Sequence, residues 1–361
     1  MTLIKKRRIK RVSIISRESD ARTLDVAMLE AELLRRGIKV TVLSRLLTKE
    51  KSLKALGYAG HVLRQQAEIL RSDVVVLDTY CIPASMLPHR KETKVVQIWH
   101  ALSAIKKFGW QTVGKEGGSS EKVARLMRMH HGYDYVVSSS DITAEHFCEA
   151  FKVEQSKIVK CGLPRIDYVK SVALGDRRAD MLSKIHAAYP QLNNGKKTIL
   201  YAPTFRKGAT VDPEELAAAL DPGKYDLIVK LHPLYRGAES DARHERENVI
   251  YDDDFSSFDW LSAADIIISD YSSLVIESTL ADKPLYIYAY DLDDYEANTG
   301  LNVDFSSEPI APYVFSDAKE MAKAIDAGDY DLGALREFRD RYIDIDTNNC
   351  TAALADFIES L

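Results

Sequence analysis

Two histidines, two arginines and a pair of serines stand where apolar runs of this chain end. His100 follows Val95-Val96-Gln97-Ile98-Trp99, and His232 follows Leu227-Ile228-Val229-Lys230-Leu231. Arg206 closes Tyr201-Ala202-Pro203-Thr204-Phe205, and Arg165 sits in the turn-like Gly162-Leu163-Pro164-Arg165-Ile166-Asp167. Asp270 ends the run Ile266-Ile267-Ile268-Ser269 and leads through Tyr271 into Ser272-Ser273, after which residues 274–281 carry a helical pattern. A strand entering a helix through Ser-Ser offers hydroxyls and free N–H groups at a positive helix end, a setting suited to phosphate. Serine before a helix is also an ordinary N-cap. Glu277 falls one turn further on, placed either to accept from ribose hydroxyls or to complement the helix dipole.

The chemistry that fits is phosphoryl transfer. It asks for cations and donors around phosphate oxygens and for a group that positions or deprotonates the nucleophile. Histidine has the pKa for the second task, while Arg206, Arg165 and the serine pair suit the first. Other chemistries lack their signatures. There is no G-x-x-x-x-G-K-[ST] run, no G-x-G-x-x-G after the first strand and no G-x-S-x-G. Four dispersed cysteines form neither a zinc pattern nor a disulfide framework and point to a reducing compartment. The acidic run Asp252-Asp253-Asp254 reads as a solvated loop after a strand, so no metal is expected.

The elements that must position these residues alternate. Strands are expected at 12–15, 40–43, 74–77, 95–98 and 135–137, then at 198–201, 226–231, 249–251, 266–269 and 285–289, with a helix over 23–36 ending at Gly37. Such alternation predicts βαβ units and parallel sheets covered by helices, and 361 residues suffice for about two domains. In open α/β sheets, ligands bind beyond the carboxyl ends of strands, where the polar residues above fall. The segment 169–196 reads as the connection, and helices are expected over 318–327 and 335–361. A net charge of -5 excludes bulk nucleic-acid binding. No apolar run is long enough to span a bilayer.

Five motifs in order carry a resemblance: Gln97-Ile98-Trp99-His100, Gly162-Leu163-Pro164-Arg165-Ile166-Asp167, Tyr201-Ala202-Pro203-Thr204-Phe205-Arg206, Lys230-Leu231-His232-Pro233 and Ser269-Asp270-Tyr271-Ser272-Ser273. Over residues 95–305 the chain closely resembles the CDP-glycerol glycerophosphotransferase family of teichoic acid and capsule synthesis. The resemblance implies an α/β, GT-B-like fold: two Rossmann-like parallel-sheet domains facing across a cleft. The expected division is 1–170 for the acceptor, 195–330 for the CDP donor, and 331–361 as helices packing back toward the first domain. It further implies His100 as the base toward the acceptor hydroxyl. His232 joins it as a catalytic residue at the donor phosphates, with Arg206, Lys230, Asp270, Ser272, Ser273 and Glu277 binding the donor. Arg165 matches a motif position on the acceptor or phosphate side. Ala101 and Ile166 replace the family's usual Gly and Asn, departures that bear on substrate identity more than on reaction type.

The implied reaction moves a polyol phosphate from CDP-glycerol or CDP-ribitol to a polyprenyl-diphosphate-linked saccharide, releasing CMP, without a cofactor. A GT-B glycosyltransferase using a nucleotide sugar and a non-catalytic nucleotide-binding membrane scaffold are the alternatives. Basic residues at Lys5, Lys6, Arg7, Arg8, Lys10 and Arg11, and the basic, aromatic stretch 103–131, predict attraction to an anionic membrane surface. The expected location is cytoplasmic, peripheral on the inner face of the cell membrane.

Overall fold

Strands covered on both faces by helices read as continuous apolar runs, and such runs build both sheets of this protein. The computed structural model describes residues 9–46, 53–115, 118–204, 213–231 and 246–361, with backbone alone for 53–57. The chain divides into two units, Met1–Asp167 with Tyr342–Leu361, and Tyr168–Arg341.

In the first unit the strands are β1 (Arg11–Ser16), β2 (Lys39–Ser44), β3 (Val74–Leu77), β4 (Lys94–Gln97), β5 (Tyr135–Ser138) and β6 (Ile158–Lys160). They pair in parallel in the order β2-β1-β3-β4-β5-β6. The second unit holds β7 (Lys197–Tyr201), β8 (Tyr225–Val229), β9 (Val249–Tyr251), β10 (Ile266–Ser269), β11 (Leu285–Tyr288) and β12 (Val314–Phe315), again all parallel, in the order β12-β11-β10-β7-β8-β9. In each sheet the winding reverses once, between β1 and β3 and between β7 and β10. At a reversal the connections leave in opposite directions, which opens a crevice at the carboxyl ends of those two strands.

Aspartates just before strands set the register at the amino ends. Asp73 accepts from Lys10 N and Arg11 N at 3.0 and 3.1 Å, Asp134 from Val95 N at 2.8 Å, and Asp265 from Thr198 N at 2.8 Å. Each carboxylate satisfies a backbone donor at the start of a neighbouring strand.

The structure departs from expectation in several places. β6 and β12 carry only three and two residues, too short to announce themselves by pattern. The turn-like motif at 162–167 is the entry to the helix Pro164–Ala173, with Pro164 at the first helical position, where its missing N–H costs nothing. The expected helix over 335–361 is two, Leu332–Tyr342 and Cys350–Ser360. Chain from Tyr342 onward belongs to the first unit, so the return begins there and not at 331.

The 162–167 motif fastens that return. Asp167 accepts from Cys350 N and Thr351 N, both at 2.8 Å, and from Thr351 Oγ1 at 2.6 Å, so it caps the last helix from outside. Gly162 lies so close that a Cβ there would run into Cys350. Arg36 completes the dock, reaching Asp356 at 2.5 Å and Glu359 at 2.7 Å. Losing a cap costs about 1 kcal/mol, and each bond to a charged group about 1.5–3 kcal/mol. Asp167→Ala is therefore expected to lower the first unit's stability by about 2–4 kcal/mol in denaturant unfolding, and an unchanged midpoint would contradict this capping role.

Candidate functional site

His100 follows β4, the strand next to β3 at the reversal of the first sheet. Its ring leans back from the end of β4 onto the segment after β3, where Nδ1 lies 3.0 Å from the carbonyl of Asp78. A carbonyl only accepts, so Nδ1 carries the proton and Nε2 keeps its lone pair. Glu18, just past β1, lies 3.7 Å from the same nitrogen. The ring is half-exposed.

The chain around His100 is built to aim it. Ile98 continues the sheet, its N–H donating to Leu77 O at 2.8 Å. Trp99 then takes a φ of 58°, a left-handed conformation that costs a large side chain of order 1–3 kcal/mol. Stacking offsets part of that cost: the indole lies 4.4 Å from the Phe108 ring and 4.0 Å from the His100 ring, with Phe151 edge-on at 5.3 Å. Gln97, fully buried, accepts from Trp99 N at 2.9 Å and donates to Thr79 O at 3.1 Å, tying the turn to the loop after β3. Beyond His100, Ser139 holds Leu102 O at 2.6 Å and Tyr342 O at 2.8 Å.

Two residues here escaped sequence reasoning. His130 is buried against Phe151 and bonded to the Tyr133 hydroxyl at 2.9 Å, and burial pushes its pKa down to about 3, so it serves as a neutral core group. Asp78 is also buried, and burial pushes its carboxyl up to about 7. The Ser16 and Thr79 hydroxyls pull the other way without reaching good hydrogen-bond geometry.

Arg165 is buried and forks onto Asp25: Nε donates to Oδ2 at 2.8 Å, Nη2 donates to the same oxygen, and Arg165 N donates to Oδ1 at 2.8 Å. It thereby joins the helix Pro164–Ala173 to the helix Leu24–Arg35. A buried Arg–carboxylate fork explains the arginine without a ligand.

In the second unit, Asp270, Ser272 and Ser273 stand at the reversal between β7 and β10. Asp270 is fully buried and accepts from Thr204 N at 2.9 and 3.0 Å, joining the loops that leave these strands. The helix behind the serines is short, Leu274–Ser278, with a 3-10 turn over Thr279–Ala281. Neither hydroxyl makes the expected cap on the helix. Ser272 Oγ accepts from Leu274 N at 3.3 Å, and Ser273 Oγ donates to Glu277 at 3.4 Å. Both serines are half-exposed, while Glu277 is buried. Arg206 and His232 lie outside the described residues.

Lys230 is committed elsewhere. Its Nζ donates to Asp252 Oδ2 at 2.8 Å and to Asp252 O at 2.9 Å. Asp252 is buried, against the expectation of a solvated acidic loop, and also accepts from Tyr189 OH at 2.6 Å and Trp260 Nε1 at 2.8 Å. Burial alone would raise its pKa, but Lys230, Tyr189 and Trp260 outweigh it and the net shift is downward. Among the described residues no cluster of acids, histidines and cysteines could hold a metal ion.

Comparison with known proteins finds the same chemistry. The family description CDP-Glycerol:Poly(glycerophosphate) glycerophosphotransferase matches residues 1–360. The teichoic acid ribitol-phosphate primase of Bacillus spizizenii (strain ATCC 23059 / NRRL B-14472 / W23) is 32% identical over 90% of this chain and 84% of its own. The teichoic acid glycerol-phosphate primase of Bacillus subtilis (strain 168) is 29% identical over 83% and 77%. Among solved structures, the wall teichoic acid polymerase TagF superposes with a TM-score of 0.73 over 96% of this chain and 88% of its own, at 20% identity, a likeness of fold.

The buried Asp78 carboxyl makes a prediction independent of activity. Its folded pKa lies above the unfolded value, so the wild type binds more protons folded than unfolded between about pH 4 and 7, and loses stability as pH rises through that window. Asp78→Asn removes the titration and keeps the carbonyl. The variant should gain stability relative to wild type from pH 5 to pH 8 in denaturant unfolding, and a difference that does not change with pH would contradict the assignment.

Proposed function

The chain belongs to the CDP-glycerol:poly(glycerophosphate) glycerophosphotransferase family, and we propose that it moves a polyol phosphate, glycerol phosphate foremost, from a CDP-activated donor to a hydroxyl of a lipid-linked teichoic acid or capsule acceptor. Two parallel sheets in series, each with one reversal, are those of a GT-B-like fold. The observation that carries the reaction is His100, whose tautomer is set by the Asp78 carbonyl so that Nε2 is free to take a proton.

In this reading the acceptor oxygen attacks the β-phosphorus of the CDP-polyol. A new P–O bond forms, the bond from that phosphorus to the bridging oxygen breaks, and CMP leaves with that oxygen. The acceptor's proton goes to His100 Nε2. The donor diphosphate is assigned to the second unit, at the N–H groups and hydroxyls of Ser272 and Ser273. Asp270 supports this side by anchoring Thr204, two residues before Arg206. Arg206 and His232 are assigned to the same phosphates by their motif positions, and Glu277 to the donor through its contact with Ser273. Lys230 serves this side by holding the loop at Asp252.

The test is CMP release and product formation with CDP-glycerol, CDP-ribitol and UDP-sugars over lipid-linked acceptors. Turnover of UDP-sugars alone would overturn the reading in favour of glycosyl transfer, and nucleotide binding without turnover would leave a scaffold. His100→Ala should lower the transfer rate by about 10² to 10⁴, as expected for a lost general base, with CDP affinity kept. Near-normal turnover would exclude His100 as the base.

We place the protein on the anionic inner face of the cell membrane, where a polyprenyl-linked acceptor would reside. Among the described residues no helix is long and apolar enough to cross a membrane. The helix Glu121–Leu126 exposes Val123 (48%) and Leu126 (68%) beside Lys122 and Arg125, a mixed apolar and basic surface suited to headgroups. Of the N-terminal basic cluster, Lys5 to Arg8 lie outside the described residues, Lys10 is exposed, and Arg11 pairs with Glu68. Sedimentation with anionic liposomes should show binding at low salt that falls steeply as salt shortens the screening length below about 8–10 Å. Absence of binding at low salt, or indifference to lipid charge, would contradict an electrostatic attachment.

A further inference from the structure

Successive carbonyls after β3 each hold one side chain. Asp78 O takes His100 Nδ1–H at 3.0 Å, Thr79 O takes Gln97 Nε2 at 3.1 Å, and Tyr80 O takes Arg17 Nη1 at 2.6 Å. The segment that aims the histidine therefore also aims an arginine, which stands at the first position beyond β1. Arg17 is anchored by its backbone too, its N–H donating to Thr79 Oγ1 at 3.2 Å. Its guanidinium lies 5.7 Å from the centre of the Tyr80 ring.

Arg17 is half-buried and has no counter-charge, whereas Arg64 and Arg128, which also pair with no described carboxylate, are exposed. Elsewhere in the unit, Arg11 pairs with Glu68, Arg22 with Glu30, Arg36 with Glu32, Asp356 and Glu359, and Arg165 with Asp25. No described carboxylate lies within ion-pair distance of Arg17, although Glu18 is the next residue and approaches His100 instead. The Arg17 Nε is buried and finds no hydrogen-bond acceptor among the described residues. A half-buried guanidinium without a counter-charge bears a desolvation cost that an anion at its accessible side would offset. Its planar fork matches phosphate oxygens.

We propose that Arg17 is an acceptor-side phosphate-binding residue, holding a phosphate carried by the acceptor so that the acceptor's hydroxyl is presented to His100. This rests on the reading of His100 as the base that receives the acceptor proton. The ligand chemistry is a phosphate or diphosphate ester, drawn either from a terminal polyol phosphate or from the diphosphate that links saccharide to lipid.

The experiment titrates the intact protein, with its donor site saturated by CDP, with glycerol 3-phosphate, inorganic pyrophosphate or glycerol, followed by calorimetry or ³¹P NMR. One phosphate probe should bind in the presence of CDP, glycerol should not, and the probe that binds identifies the source. Arg17→Ala should weaken that binding at least tenfold and leave CDP affinity unchanged. Arg17→Lys, which keeps charge but not the fork, should weaken it several-fold and guards against a folding defect in the alanine variant. In turnover, Arg17→Ala should raise the acceptor KM and leave the donor KM alone. Unchanged binding of the probe by both variants, or loss of all probe binding once CDP is present, overturns the proposal. The titration needs no turnover, so a wild type that binds the probe but releases no CMP from CDP-glycerol would refute the transferase reading and leave the subsite standing.

Discussion

The contact between His100 Nδ1 and the Asp78 carbonyl governs the chemistry open to the first unit. Because a carbonyl cannot donate, the contact chooses the tautomer, and with it the nitrogen that can accept a proton. It also requires the chain to turn back after β4, and the left-handed Trp99 supplies that turn. The aromatic neighbours of Trp99, the two bonds of Gln97 and the hold of Ser139 on Leu102 all keep the turn in place. These are positioning forces: Gln97 and Ser139 spend their polar groups on backbone partners.

The second unit solves a comparable problem with buried carboxylates. Asp270 pins the loop after β7 to the end of β10, and Asp252 gathers Lys230, Tyr189 and Trp260 at the end of β9. A buried acid is costly unless fully bonded, and both spend their oxygens on loops at the carboxyl edge of the sheet. That edge is where a parallel sheet with a reversal offers a crevice, so the energy of burial goes into shaping the place assigned to the donor.

Much of this was legible in the sequence, for identifiable reasons. Runs such as Val74 to Leu77 and Ile266 to Ile268 are buried on both faces, so their composition alone marks them as strands, and a polar residue just past such a run marks the functional edge. The positions of His100, Asp270 and the serine pair at strand ends were read in this way. Contacts that depend on a distant partner were not legible. Arg165 and Asp167 share a motif with no local sign that one meets Asp25 and the other the last helix. Asp252 sits in an acidic run that resembles a solvated loop until Lys230 and Trp260 surround it. Arg17 gave no signal, since an arginine is conspicuous only when its counter-charge is missing, and that is a fact of three dimensions.

The proposed division of labour, with donor phosphates on the second unit and the base on the first, is tested most directly by a crystal structure determined after soaking with CDP-glycerol. The β-phosphate is expected at Ser272 and Ser273, beyond the carboxyl ends of β7 and β10, with His100 Nδ1 still on the Asp78 carbonyl. A nucleotide seated instead against the sheet of the first unit, or a His100 ring turned so that Nδ1 faces the phosphate, would contradict the assignment of both sites.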